Sequence, residues 1–342
     1  MKITNCHIPC AIVLSLLTLT AVQVRGADYH FIKAIPVGGD GGWDYLSVDE
    51  GARRLYVSHG TKAVVIDIEQ NTVVGEITNT PGIHGVALAP ALSRGFTSNG
   101  REAKVGIVDL KTLETLSKVD TGENPDAILF EPEHQEVYAF NGRSKSATVF
   151  EAKTGKVVAT IPLGGQPEFA AVDAGAGRVY CNLEDTAEVV ALDTKSHVVA
   201  NRWPIAPGEE ASGMAIDIVH HRLFLGCGNK LMVMLDSATG KVIGSVPISS
   251  GVDANAFDPA TQLAFASCGD GTVTIAHEDA PDKLTVVQTL KTMRGARTMT
   301  LDPKTHRIYL GAAEYEPSAA ANERRPKMVA GSFKILVYGT DK

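Results

Sequence analysis

Seven residues recur at one position of a repeated pattern, and their types suit the binding of an ion or a polar ligand. They are Asp44, His84, Asp126, Glu168, Ser212, Asp253 and Arg297, spaced 40 to 44 residues apart. Four carboxylates brought to one place repel one another unless they are solvated, paired, protonated or bound to a cation. Arg297 can neutralise Asp44 or Asp253 through a bidentate contact. Oxygen donors with one histidine suit Ca²⁺, Mg²⁺ or Mn²⁺, and less decisively Zn²⁺ or Fe²⁺. Asp126, Glu168 and Asp253 are the expected ligands of such an ion, and His84 the general base of a metal-assisted reaction. Without an ion, the same residues make a solvated acidic mouth or hold a small molecule. Trp43 precedes Asp44 and either stacks on that ligand or packs inside the fold. No GxSxG, HxxxH or CxxC appears. "GGDGGW" precedes no helix, so it is no phosphate loop.

The elements that must position these residues repeat with them. Each aligned residue leads into a short run: Tyr45–Val48, Gly85–Leu88, Ala127–Phe130, Phe169–Val172, Gly213–Ile216, Ala254–Phe257 and Thr298–Leu301. A second strand follows with an aromatic at a fixed place: Tyr56, Phe96, Tyr138, Tyr180, Phe224, Phe265 and Tyr309. A third strand ends on an acidic turn opener such as Asp67, Asp109, Asp193 or Asp236, and Gly155 and Gly240 supply positive φ in the hairpin to a fourth strand. Four short strands at a period near forty residues define a β-propeller. The expected fold is therefore all-β, a single seven-bladed β-propeller. The seventh copy lacks its fourth strand, and Phe31–Val37 is expected to pair with Phe333–Tyr338 and close the ring.

In such a ring the innermost strands crowd the axis, so the seven aligned residues converge on one mouth of the channel. Beside them a second ring is expected at the loops between strands two and three: His59, Asn99, Arg101, Asn141, Arg143, Asn182, Glu184, Asn229 and Asp270. The seventh copy also carries an insertion, "EPSAAANERRPKMVA", whose Arg324 and Arg325 can reach the mouth or an anionic ligand group. The repeated aromatics read as packing layers, and Asp49, Asp173, Asp217, Asp258 and Asp302 as structural turn carboxylates. His134, His221 and His306 read as solvated loop residues on the opposite rim.

Residues 1–26 read as a secretory signal peptide: Lys2, then the apolar "AIVLSLLTLTAVQV", then Arg25-Gly26. An uncleaved anchor is the alternative. The propeller then spans residues 27–342, and the expected location is periplasmic or secreted. The chain has 39 acidic against 32 basic residues, and the acidic excess deepens once Lys2 and Arg25 leave. No basic run attracts a phosphate backbone, which argues against nucleic acid as a partner. Three cysteines remain, Cys181, Cys227 and Cys268, an odd number read as buried small hydrophobes.

The segments "LYVSHG" and "VYAFNG" resemble the strand signature of YVTN-repeat propellers, and the chain as a whole resembles the YncE-like family of exported bacterial seven-bladed propellers. The resemblance implies a binding or envelope-associated role, with a small molecule or an envelope protein as partner. The leading expectation is thus a non-catalytic binding propeller. A divalent-metal-dependent hydrolase or lyase at the same mouth is the rival, and a protein-interaction platform on the rim is the third reading.

Overall fold

The computed structural model describes residues 1–2, 27–316 and 327–341. The expected signal peptide and the insertion residues Arg324 and Arg325 lie outside the described residues. The described chain forms seven four-stranded antiparallel sheets arranged as blades, with no α-helix among them. The innermost strands of blades one to seven are Leu46–Asp49, Ile83–Ala89, Pro125–Glu131, Pro167–Asp173, Ala211–Asp217, Val252–Asp258 and Met299–Asp302. No described helix is long and apolar enough to cross a membrane.

The ring closes as the repeat predicts. His30–Pro36 pairs antiparallel with Lys334–Gly339, setting Phe31 opposite Tyr338 and Ile35 opposite Ile335. This N-terminal segment thereby becomes the outer strand of the last blade and covers the edge that Lys334–Gly339 would otherwise expose.

The core lies between blades. Seven apolar clusters occupy the seven blade interfaces, and each contains one of the repeated aromatics. Tyr56 sits with Val86 and Val108 between blades one and two, for example, and Tyr309 with Leu55 and Val57 between blades seven and one. All seven aromatics are fully buried, and each removes apolar surface worth about 2–3 kcal/mol from water. Cys181, Cys227 and Cys268 are buried and unbridged.

Turn carboxylates act as predicted. Asp67 accepts the backbone N–H groups of Glu69 and Gln70, and Asp236 those of Ala238 and Thr239. Gly240 closes the latter hairpin at φ +74°, and Trp203 of blade four lies directly against it. A Cβ at this position would come within 2.1 Å of the indole. Gly240→Ala is therefore expected to destabilise the protein by about 2 kcal/mol or more, since the left-handed conformation alone costs about 1–2 kcal/mol and the indole must also move. Urea unfolding followed by tryptophan emission measures this; an unchanged midpoint would refute the packing argument.

Two expectations on the opposite rim change. His306 and His134 are not free loop residues. His306 Nδ1 lies 2.7 Å from the buried carboxylate of Asp258, and His134 Nδ1 lies 2.9 Å from that of Glu131. A carboxylate at the end of an inner strand is buried by the next blade, so it takes a nearby imidazole as its hydrogen-bond partner. That need is invisible in a loop sequence.

Candidate functional site: the acidic axial mouth

The aligned residues do converge, and a backbone irregularity aims them. In five blades the ladder between the first and second strands shifts register beside the aligned residue, between Ile83 and Val86, Pro125 and Ile128, Pro167 and Ala170, Ala211 and Gly213, and Val252 and Ala254. Such a bulge breaks the in–out alternation and re-aims a side chain. Second-strand side chains hold the irregular backbone. Ser58 accepts the N–H of Asp44 at 2.8 Å, Ser98 that of Gly85 at 3.0 Å, and Asn182 that of Phe169 at 2.7 Å.

His84 is the centre of one cluster. Its Nδ1 lies 2.7 Å from Asp44 Oδ2 and 3.3 Å from Asp126 Oδ1, so one imidazole bridges carboxylates of blades one and three. The ligating atoms of these three residues all lie within 4.8 Å of one another. Gly100 makes room for the ring: a Cβ there would lie 2.7 Å from His84 Nε2. Across the mouth, Arg297 Nε contacts Asp253 Oδ2 at 3.1 Å, the pairing with Asp253 rather than Asp44. Ser212 turns away and donates to the carbonyl of Val252.

Tyr45 forms the floor, and sequence reasoning missed it. It starts in blade one, yet its hydroxyl donates to the carbonyl of Glu168 in blade four at 2.7 Å. Its ring packs edge-on against Phe169 and joins the apolar cluster between blades three and four. The side chain therefore crosses the axis. The hint in the sequence was a large ring carrying a hydroxyl where the other copies carry Gly, Ala, Phe or Thr.

Burial, with the neighbouring charges, shifts the acids upward. Burial, then the Asp126 and Glu184 charges, push Glu168 up to about 9. Burial also pushes Asp126 up to about 7, against the pull of His84. Asp253 rises to about 6 by burial, with Arg297 opposing. Burial opposes a charge on His84, but the Asp44 hydrogen bond and the Asp126 and Glu168 charges outweigh it and raise the imidazole to about 9. At neutral pH His84 is thus a cation, not a base, in the free protein.

The expected trio of Asp126, Glu168 and Asp253 is not brought together; Asp44, His84 and Asp126 are, and this is the group that could hold an ion. Tyr45 inserts beside Glu168, and Asp253 stands across the axis with Arg297. Trp43 packs on Phe333 at 4.8 Å between ring centroids and over Gly311. Of the outer ring, His59, Asn99, Asn141 and Asn182 are buried. His59 stacks on Phe333 and Asn99 holds Glu102, so these side chains support the mouth from beneath rather than face a ligand. An open cleft of about 810 Å³ on the opposite rim, lined by Tyr29, Gln288 and His306 among others, lacks any comparable convergence of charge.

The fold and mouth define a seven-bladed propeller with an acidic axial site. No family model matches the chain, and no curated protein matches it. Among solved structures it is similar to a chain of hydrazine synthase from Kuenenia stuttgartiensis. The two share 16% identity with a TM-score of 0.68, over 82% of this chain and 96% of that one. At that identity the likeness shows the propeller fold alone.

Proposed function

We propose that this protein is a non-catalytic binding propeller of the bacterial cell envelope, whose axial mouth takes a small cationic molecule in exchange for protons. The observation that carries the reading is the convergence of Asp44, Asp126, Glu168 and Asp253 above the Tyr45 floor, where burial first and then the neighbouring carboxylates keep the proton on Glu168 at neutral pH. A bound cation relieves the repulsion that the proton otherwise relieves. The envelope location rests on the leader-like residues 1–26 and on the resemblance to exported YVTN-repeat propellers. The net acidic charge favours a cationic ligand over an anionic one.

Titration with small organic amines, spermidine and agmatine among them, tests this by calorimetry in two buffers of different ionisation heat. Binding with proton release is expected, tightening as pH rises from 6 to 8. The double variant Asp126→Asn, Glu168→Gln should lose more than about 100-fold in affinity, on the order of 3 kcal/mol. An amine that binds this variant as tightly as the wild type sinks the site.

A second reading, a divalent-metal-dependent hydrolase or lyase at the same mouth, is favoured by the Asp44–His84–Asp126 cluster. Held by these three, Ca²⁺, Mg²⁺ or Mn²⁺ would polarise a substrate oxygen. Elemental analysis of protein soaked in each ion and then desalted discriminates: an equivalent of metal lost on Asp44→Asn supports it, and its absence removes it.

A further inference from the structure

We propose that Asp217, His220 and Glu278 form a second site, on the rim opposite the mouth, that binds a first-row divalent ion such as Mn²⁺ or Zn²⁺ and ties blade five to blade six. Asp217 ends the innermost strand of blade five. Glu278 lies on the third strand of blade six, Thr272–Ala280. His220 Nδ1 stands 2.6 Å from Asp217 Oδ2 and 3.7 Å from Glu278 Oε2. All three ligating atoms lie within 4.8 Å of one another, a spread that small side-chain adjustments convert to bonds of about 2.0–2.2 Å around one ion.

Glu278 is the observation that points to a ligand. It is 3% exposed, and neither carboxylate oxygen has a hydrogen-bond partner among the described residues. Its position in the repeat makes this unexpected. In six of the blades the residue here donates its N–H to the turn after the first strand, as Glu278 does to Gln262. The residues making the same bond elsewhere are Ile68, Leu110, Ala152, Thr194 and Ser237. All are buried and none is charged.

The partner acid is equally short of a full counter-charge. Asp258 receives His306 from the following blade, and Asp302 receives Arg53. At the equivalent place blade six offers Gln262, and beside it the second carboxylate of Glu278. Asp217 is 2% exposed, so the two acids meet away from water with one partly exposed imidazole between them. A buried pair of carboxylates with one histidine calls for a divalent charge. Mixed oxygen and imidazole donors suit Mn²⁺ or Zn²⁺.

Full-length protein without a polyhistidine tag, stripped with chelator, is titrated with MnCl₂ and with ZnCl₂ by calorimetry and thermal melting. A mouth variant, Asp44→Asn with Asp126→Asn, isolates this site and is expected to bind one equivalent with a raised melting temperature. Adding Glu278→Ser should lower affinity by more than about 100-fold, beyond the 10–100-fold typical of residues that only support a ligand. Serine is the residue blade five carries there, so the metal-free variant should melt no lower than its parent. His220→Gln, on the exposed side, should lose binding likewise. Failure of the mouth variant to bind either ion, or binding untouched by Glu278→Ser and His220→Gln, overturns the site. Either failure leaves the reading of the axial mouth standing.

Discussion

Replacing Arg53 with alanine is expected to destabilise the protein by about 3 kcal/mol. Arg53 belongs to blade one and grips Asp302 of blade seven with two parallel hydrogen bonds of 3.0 and 2.7 Å. The Asp302 carboxylate is wholly buried. Removing one partner of a buried ion pair costs about 3–5 kcal/mol, because the other charge stays behind without water. The lower end applies here, since Asp302 keeps the Thr305 hydroxyl and the Lys304 N–H. The loss falls at the junction where the ring closes, so the closure would weaken with it. Burial alone would raise the Asp302 carboxyl, but Arg53 and Thr305 hold it below its ordinary value. The stability it contributes is therefore present above that ordinary value, about 4, and is lost as pH falls through the depressed folded value. The gap between wild type and Arg53→Ala should narrow in acid. Urea unfolding at pH 7 and pH 2.5 measures both effects, and a gap that widens at pH 2.5 would contradict the assignment.

Glu168→Gln is expected to do the opposite: stabilise the protein above neutral pH and flatten its pH dependence. The Glu168 carboxyl is raised from 4.5 to about 9. Between those values the folded chain holds a proton that the unfolded chain has released, so stability falls as pH rises through the window. Asp126, raised to about 7, and His84, raised from 6.5 to about 9, add the same sign. The wild type should then lose stability steadily from pH 6 to 9. Glutamine removes the largest contribution and should leave the variant more stable by a few kcal/mol at pH 9, with little difference near pH 4. A gain in stability on removing a buried acid marks a site kept for binding rather than for folding. If Glu168→Gln melts lower than wild type at pH 8.5, the crowding argument is wrong.

The two expected results separate what the repeat does from what the mouth does. Arg53 and Asp302 sit at positions filled by turn and strand-end residues in each copy, and they serve the ring. Glu168 sits at the position that varies most between copies. Each blade presents that position to the axis, so it can change without disturbing the blade interfaces.

Blade number, the closing strand and the place of the mouth were all legible in the sequence. They follow from local rules repeated from copy to copy: short strands at a fixed period, one aromatic per interface, and an acidic turn opener. The missing fourth strand of the last copy and the spare strand at Phe31–Val37 completed the count. Ring convergence followed from the alignment, because sevenfold geometry places equivalent residues at one radius.

What the tertiary structure decided were the contacts between blades that are distant in sequence. Tyr45 reaches blade four across the axis, 123 residues along the chain, and no local pattern encodes a side chain that leaves its own blade. Asp44, His84 and Asp126 are the group whose ligating atoms meet within 4.8 Å, while Glu168 adds its charge to theirs from beside the Tyr45 hydroxyl. The same holds on the far rim. Asp217 looked like one more turn carboxylate, and it does accept the N–H of Val219. Only the packing of blade six against blade five shows that its neighbour is Glu278. Side-chain charge is set by what burial brings close, and that is a property of the folded ring rather than of any one copy of the repeat.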